Sequence, residues 1–381
     1  MRIRVPALPV AGVLMLASTF PTGVCAQADS SEIAGIAARL EAETTRILED
    51  TGIPAISIAL VRSGEVMWAG AFGYANVAAA TPVTTDTYFS TGSTLKPVTA
   101  AAVMQLVDEG RVSLDEPVNR LLGPTRAIVG ADDVTLRHLL GHHSGLEGPV
   151  DIVPLWNRAS LPTAEETVAA IRRTAEPAAG YRYCNECYTL AAQVVELMSS
   201  LSYDAYLAEK IFAPLGVEVT SPTRPTPQVV ERLALPYGEE NGLAFPIEQI
   251  RTNVYAAGDA YLRPKDMAAF LAMLLNLGTY GERRVLSEAS AREIMRPQFD
   301  GSSSGLGINT SDVNGHPVVT KNGIFTGYHS YMVGDPETRH GAYVVANSTA
   351  AGRVVASLAR LALQLLWGQE PAPIPSAAGR R

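Results

Sequence analysis

Positive charge, long apolar runs and cysteine are all in short supply in this chain, and each shortage narrows what it can be. Lysine and arginine number 30 against 38 aspartates and glutamates, a formal net charge of −8. That balance argues against nucleic acid or an anionic membrane surface as a partner. There is no internal repeat and no low-complexity tract, and 47% hydrophobic beside 18% charged residues describes a globular core rather than a disordered chain. The uncharged, mostly apolar stretch Val5 to Phe20 is short for a membrane span and holds Pro6 and Pro9. With Arg2 and Arg4 ahead of it and the small residues Ala26 and Ala28 behind, it reads as an export signal cut after Ala26. Residues 1–26 are expected to be a signal peptide, and the mature protein to be periplasmic or secreted without a stable membrane anchor. Acylation of Cys25, the lipoprotein alternative, fits poorly because Val24 is bulkier than such a signal prefers. The two remaining cysteines, Cys184 and Cys187, stand three residues apart and are expected to form a short-range disulfide in an oxidising compartment. No thioredoxin-like βαβ pattern surrounds them, so a redox C-x-x-C enzyme is not indicated.

What is present is a consistent order of elements. Residues 32–50 alternate apolar and charged at helical spacing. Pro54 to Arg62 alternates as a strand, Ser63-Gly64 turns, and Glu65 to Tyr74 returns. From about 94 to 290 the pattern is mainly helical, broken by Pro/Gly loops. Strand-like runs follow at Pro317 to Lys321, Tyr328 to Val333 and Ala342 to Asn347, then an apolar helix from about Arg353 to Trp367. Strands near both ends with helices between imply an α+β fold: one antiparallel sheet built from the two termini, with an inserted helical lobe. Residues 27–368 are expected to form this single domain and 369–381, rich in proline, a disordered tail.

The chemistry centres on Ser93-Thr94-Leu95-Lys96, which follows Gly92 and precedes an amphipathic run to Glu109. Residues i and i+3 share a helical face, so the Lys96 amine can reach the Ser93 hydroxyl. A serine hydroxyl is a weak nucleophile without such a base. The same spacing arises often by chance, so its partners decide the matter. Tyr183-Cys184-Asn185 lies just ahead of the helical run from Tyr188 to Leu197. There Tyr183 could shuttle a proton and Asn185 supply a donor and an acceptor, or simply pack and cap the helix. Lys321-Asn322-Gly323 sits at the end of a strand-like run, offering a fixed cation and open backbone N–H groups, or merely a solvated strand end.

Taken together, in this order, the three motifs resemble the serine hydrolase family of class C β-lactamases, serine D,D-peptidases and related esterases. The family's S-x-x-K corresponds to Ser93 and Lys96, its Y-x-N to Tyr183 and Asn185, and its K-T-G to Lys321-Asn322-Gly323. The resemblance extends from about residue 40 to 367, through Phe72 to Asn76 with Pro82 to Thr84, Leu136 to Leu140 with Ser144 to Leu146, Gly305 to Ile308, and Lys321 to Tyr331. It implies a β-lactamase/penicillin-binding-protein-like transpeptidase fold and an acyl-enzyme on Ser93. Lys96 and Tyr183 move the proton, and the choice of base between them stays open. The backbone N–H groups of Ser93 and Ile324 form the oxyanion hole. Asn185 orients Lys96 and the substrate amide, while Lys321 lowers the Tyr183 pKa and attracts a substrate carboxylate. Asn322 and Gly323 complete the substrate-binding set. Three departures bear on the substrate: Asn322 replaces the usual threonine, Ala178 a glycine, and Cys184 a small serine or alanine. The separate glutamate motif of class A β-lactamases is lacking.

Two rivals come from other classes. His138, His142 and His143 suggest a metal hydrolase, but no H-E-x-x-H accompanies them and the segment is explained by the family's Leu-rich helix. A penicillin sensor without turnover is the other, and retention of Ser93, Lys96, Tyr183 and Asn185 speaks against it. No cofactor or metal is expected. The partner is a small-molecule or peptide substrate, with a β-lactam or related anionic amide favoured by Lys321 and a short-chain ester or D-alanyl-D-alanine peptide next.

Overall fold

The computed structural model describes residues 14–15, 24–155 and 161–375. The expected signal peptide falls outside these residues apart from Leu14–Met15 and residues 24–26. In chain order the longer elements are α1 (Val24–Thr51), β1 (Ala55–Arg62), β2 (Glu65–Asn76), α2 (Lys96–Asp108), α3 (Glu186–Ser199), α4 (Pro264–Leu275), β3 (Asn309–Val313), β4 (His316–Phe325), β5 (Tyr328–Asp335), β6 (His340–Ala346) and α5 (Gly352–Leu366). The strands lie in the order β2-β1-β6-β5-β4-β3, each pair antiparallel. Leu14–Met15 pairs with the outer side of β2.

The seam that closes this sheet is β1 against β6, where Gly341 to Ala346 lie opposite Val61 to Ile56. It joins segments nearly 300 residues apart, as expected from strands near both termini. Every residue of β1 up to Val61 is buried, because both faces are covered. On one side lie α1 and α5. Val355, Leu358, Ala359, Ala362, Leu363 and Leu366 form a buried stripe at helical spacing on α5. They pack with Leu40, Leu48, Ile56, Ile58 and Trp68. On the other side α4 presents Met267, Phe270, Leu271 and Leu274 to a second core shared with the helical lobe. Helix α2 runs through that lobe and is buried all round from Lys96 to Met104. Its Ala100, Ala101 and Ala102 face no solvent, and small side chains let neighbouring helices approach closely.

Two expectations need correction. Strand β3 was not anticipated, since Asn309-Thr-Ser-Asp-Val313 has one apolar residue and carries no periodic apolar signal; it is an edge strand held by its ladder to β4. The tail, expected to be disordered from Gln369, is instead held as far as Pro375. Ile374 N donates to Glu43 Oε1 (2.7 Å), and its carbonyl accepts from Arg46 Nη2 (2.6 Å). Residues 376–381 lie outside the described residues.

Candidate active site

Ser93 sits in a tight 3₁₀ turn, Gly92–Leu95, that feeds directly into α2 at Lys96. The turn is wedged against β4. Gly92 has φ +52°, and a Cβ there would lie 2.7 Å from Ile324 N. Only glycine tolerates both the conformation and the approach. A buried hydroxyl network pins the turn to the sheet: Ser330 Oγ donates to Thr91 O (2.6 Å) and Thr94 Oγ1 donates to the same carbonyl (2.7 Å). Thr94 Oγ1 also lies 3.1 Å from Tyr343 OH. Sequence reading missed this network, for serines and threonines on a strand and a turn carry no signal of mutual contact.

Four of the anticipated side chains converge on Ser93. Lys96 Nζ lies 3.1 Å from Ser93 Oγ, 2.8 Å from Asn185 Oδ1 and 2.8 Å from Ala257 O. Tyr183 OH lies 2.6 Å from Ser93 Oγ. Asn185 occupies the N-cap position of α3 but makes no side-chain cap bond; its amide oxygen is used on Lys96 instead. Lys321 Nζ stands 5.4 Å from the centre of the Tyr183 ring. It is 2% exposed, with no hydrogen bond or carboxylate partner among the described residues. It also lies within β4, four residues before its end, rather than at a strand terminus. Asn322 is exposed, lacks a side-chain hydrogen bond and does not line the cleft at Ser93. Gly323 is buried where β4 meets the Gly92–Leu95 turn, with Thr91 O and Ser93 N beside it. The backbone nitrogens of Ser93 and Ile324 thus meet across Gly92 and Gly323.

The electrostatics differ from expectation at one point. Burial pushes the Lys96 amine well below its usual value, the Lys321 charge pushes the same way, and Glu186 opposes them. Burial lowers Lys321 to about 8. Tyr183, expected to be acidified by Lys321, is instead raised to about 12, because desolvation at the hydroxyl end outweighs its hydrogen bond to Ser93, although the residue as a whole is 45% exposed. A neutral phenol and a readily neutralised amine therefore flank the serine. Burial also raises Glu186, the carboxylate acting on Lys96, and no motif had marked that residue.

The histidines serve other purposes. His138 Nδ1 accepts from Thr135 N at the start of a short helix (3.1 Å). His143 Nδ1 lies 2.7 Å from Gly141 O. His142 stacks on Tyr183 with ring centres 4.3 Å apart, and its Nδ1 accepts from Cys184 N (3.2 Å). Among the described residues no group of three or more His, Cys, Asp or Glu side chains is arranged to hold a metal ion. Cys184 and Cys187 are joined by a disulfide with Cα atoms 5.4 Å apart, tying the Tyr183 loop to the first turn of α3. A cleft of about 510 Å³ opens beside Ser93, Asn185, Gly258 and Ile324.

Residues 38–366 match the family model described as Beta-lactamase. Penicillin-binding protein 4 of Amycolatopsis lactamdurans is 30% identical over 267 residues, 66% of this chain and 69% of that one. Esterase EstB of Burkholderia gladioli is 38% identical over 120 residues, 31% of each chain. The D-amino acid amidase of Ochrobactrum anthropi SV3, solved with D-phenylalanine, superposes with a TM-score of 0.71 at 26% identity, covering 87% of this chain and 99% of that one.

Proposed function

Since the chain belongs to the Beta-lactamase family and is a serine hydrolase of amide or ester bonds, we propose that Ser93 is its nucleophile, Lys96 its base in the free enzyme, and Tyr183 the relay to the leaving group. One observation carries this reading: the hydrogen-bond arrangement of Lys96. A neutral amine has two N–H donors and one lone pair. Asn185 Oδ1 and Ala257 O take the donors at 2.8 Å each, leaving the lone pair for the Ser93 hydroxyl at 3.1 Å. Burial, which lowers the Lys96 pKa, favours the neutral amine that carries this lone pair.

Acylation then balances as follows. The Ser93 Oγ–carbonyl carbon bond forms and the serine proton passes to Lys96. Negative charge on the former carbonyl oxygen is held by the N–H groups of Ser93 and Ile324. The carbon–nitrogen or carbon–oxygen bond breaks as a proton reaches the leaving atom through Tyr183, which is reprotonated from Lys96. Water attacks the acyl-serine by the reverse route, releasing the acid and restoring the Ser93 hydroxyl.

Among substrates, a β-lactam or related anionic amide is favoured over a neutral ester, because Lys321 is a buried cation without a carboxylate partner among the described residues. A carboxylate on the leaving half would supply one. A short-chain ester or D-alanyl-D-alanine peptide is the second reading, supported by the esterase relative. Action outside the cytoplasm goes with this reading, through the signal-like residues 1–26 and the Cys184–Cys187 disulfide. No described helix is long and apolar enough to cross a membrane. The direct test is purified protein against a chromogenic cephalosporin, a p-nitrophenyl ester and a D-alanyl-D-alanine peptide side by side. Ser93→Ala should abolish turnover and labelling by a fluorescent penicillin or a fluorophosphonate. Labelling that persists at another residue refutes the nucleophile assignment, and acylation without release identifies a penicillin sensor.

A further inference from the structure

The cleft beside Ser93 has a mainly apolar surface, and neither Tyr183 nor Lys321 is among the residues that line it. From this asymmetry we propose that the enzyme selects substrates whose acyl half carries a bulky apolar side chain, branched or aryl-bearing, seated against Val150, Ile152, Ile250, Val254, Ile324 and Phe325. The proposal rests on the assignment of Ser93 as nucleophile and Tyr183 as the relay to the leaving group.

The geometry separates the two halves of a substrate. The leaving atom must receive its proton at Tyr183, so the leaving half lies on the Tyr183–Lys321 side. The cleft of about 510 Å³ is lined by Ser93, Asn185 and Ile324 but by neither Tyr183 nor Lys321. With the carbonyl oxygen held between Ser93 N and Ile324 N, the group directed into that cleft is the acyl side chain. Among the described residues no lysine, arginine, aspartate or glutamate lines it; its polar groups are Asn185, His329 and the hydroxyls of Ser93, Thr252, Thr326 and Thr349, so a charged acyl group would be desolvated there without a carboxylate, ammonium or guanidinium to pair with.

Exposure gives independent support. Val150, Ile152 and Ile324 are 43%, 58% and 61% exposed. Large apolar side chains this open to water, gathered at one cleft mouth, mark a binding surface rather than scattered surface residues. The wall they form is also braced in advance. Ile152–Pro154 pairs antiparallel with Ile250–Thr252. Asn253 Oδ1 accepts from Asp151 N (2.8 Å), and its Nδ2 donates to Pro149 O (3.1 Å). A preformed wall lets apolar contact appear as rate rather than being offset by loop ordering.

The experiment is a series of p-nitrophenyl esters with one leaving group and growing acyl chains: acetate, butyrate, hexanoate and phenylacetate. The wild-type kcat/KM should rise about fourfold for each methylene that the cleft buries. Ile152→Asp should cost at least tenfold more on hexanoate and phenylacetate than on acetate, and Val150→Ser should show the same selectivity more weakly. A flat or falling series, or an equal loss on acetate, overturns the proposal. Should no ester turn over, acylation of the protein by penicillins with acetyl and phenylacetyl side chains, read as added mass, gives the same comparison. Ser93→Ala keeps the two readings apart. Acetate hydrolysis that survives it means that the nucleophile assignment has failed. A flat series that still depends on Ser93 means that only the acyl-selectivity proposal has.

Discussion

Lys321, proposed above to bind a substrate carboxylate, would serve binding at the expense of stability. Its ammonium is buried without a counter-ion among the described residues, and its pKa falls from the ordinary 10.5 to about 8. Between those values the unfolded chain holds the proton and the folded one does not, so this residue makes the fold more stable as pH rises from about 8 to 10.5. At neutral pH the buried charge costs on the order of 1–3 kcal/mol. Lys321→Met is therefore expected to raise the denaturation midpoint at pH 7, with little difference from wild type near pH 10.5. The same substitution should reduce kcat/KM for a carboxylate-bearing cephalosporin about ten- to a hundredfold, and more than for a neutral ester. Equal losses on both would confine Lys321 to proton transfer. The pH profiles should differ too. On a neutral ester, kcat/KM rises as Lys96 is deprotonated and then holds, since Tyr183 titrates only near 12. On the anionic substrate it falls again above about 8, as Lys321 loses its charge. Coincident profiles would remove the argument for an anionic substrate.

At the scale of elements, the proposed mechanism depends on how the turn Gly92–Leu95 and the loop before α3 are held. Gly92→Ala would place a Cβ 2.7 Å from Ile324 N in a left-handed conformation, displacing the two N–H groups assigned to the oxyanion. It should cost about 1–3 kcal/mol of stability and at least a hundredfold in kcat. A variant with normal kcat would place the oxyanion donors elsewhere. The disulfide closes a ring of few residues, so its loss should lower stability by only about 2 kcal/mol. Because it ties Tyr183 to α3, the double variant Cys184→Ser/Cys187→Ser is expected to lower kcat more than it changes KM. Denaturant unfolding with steady-state kinetics reads both, and an unchanged kcat would leave the bridge with no part in holding Tyr183. Elements with strong periodicity were legible beforehand: α1, the β1–β2 hairpin with its Ser63-Gly64 turn, β5 and α5. Strand β3 was not legible, because ladder hydrogen bonds and no apolar pattern make it a strand.

On the scale of the whole molecule, the N- and C-terminal segments build one body, and the tail extends that relation by strapping Ile374 to Glu43 and Arg46 on α1. Removing residues 369–381 should lower the thermal midpoint by a few degrees, consistent with losing a small number of partly buried hydrogen bonds. It should leave kcat/KM unchanged, since the tail lies on the side of the sheet opposite Ser93. A kinetic change would mean that the two faces communicate. Sequence alone determined the serine–lysine pair, the partners Tyr183 and Asn185, and a sheet closed from both ends. Those features follow from local spacing, from strand and helix periods, and from motif order. Only tertiary structure decided that Lys96 and Lys321 are buried close together, that Tyr183 is made less acidic rather than more, that Asn322 faces away from the cleft, and that His142 supports the tyrosine. Burial, desolvation and the meeting of groups up to 230 residues apart set these outcomes. They are properties of the packed interior, which no local window of sequence contains.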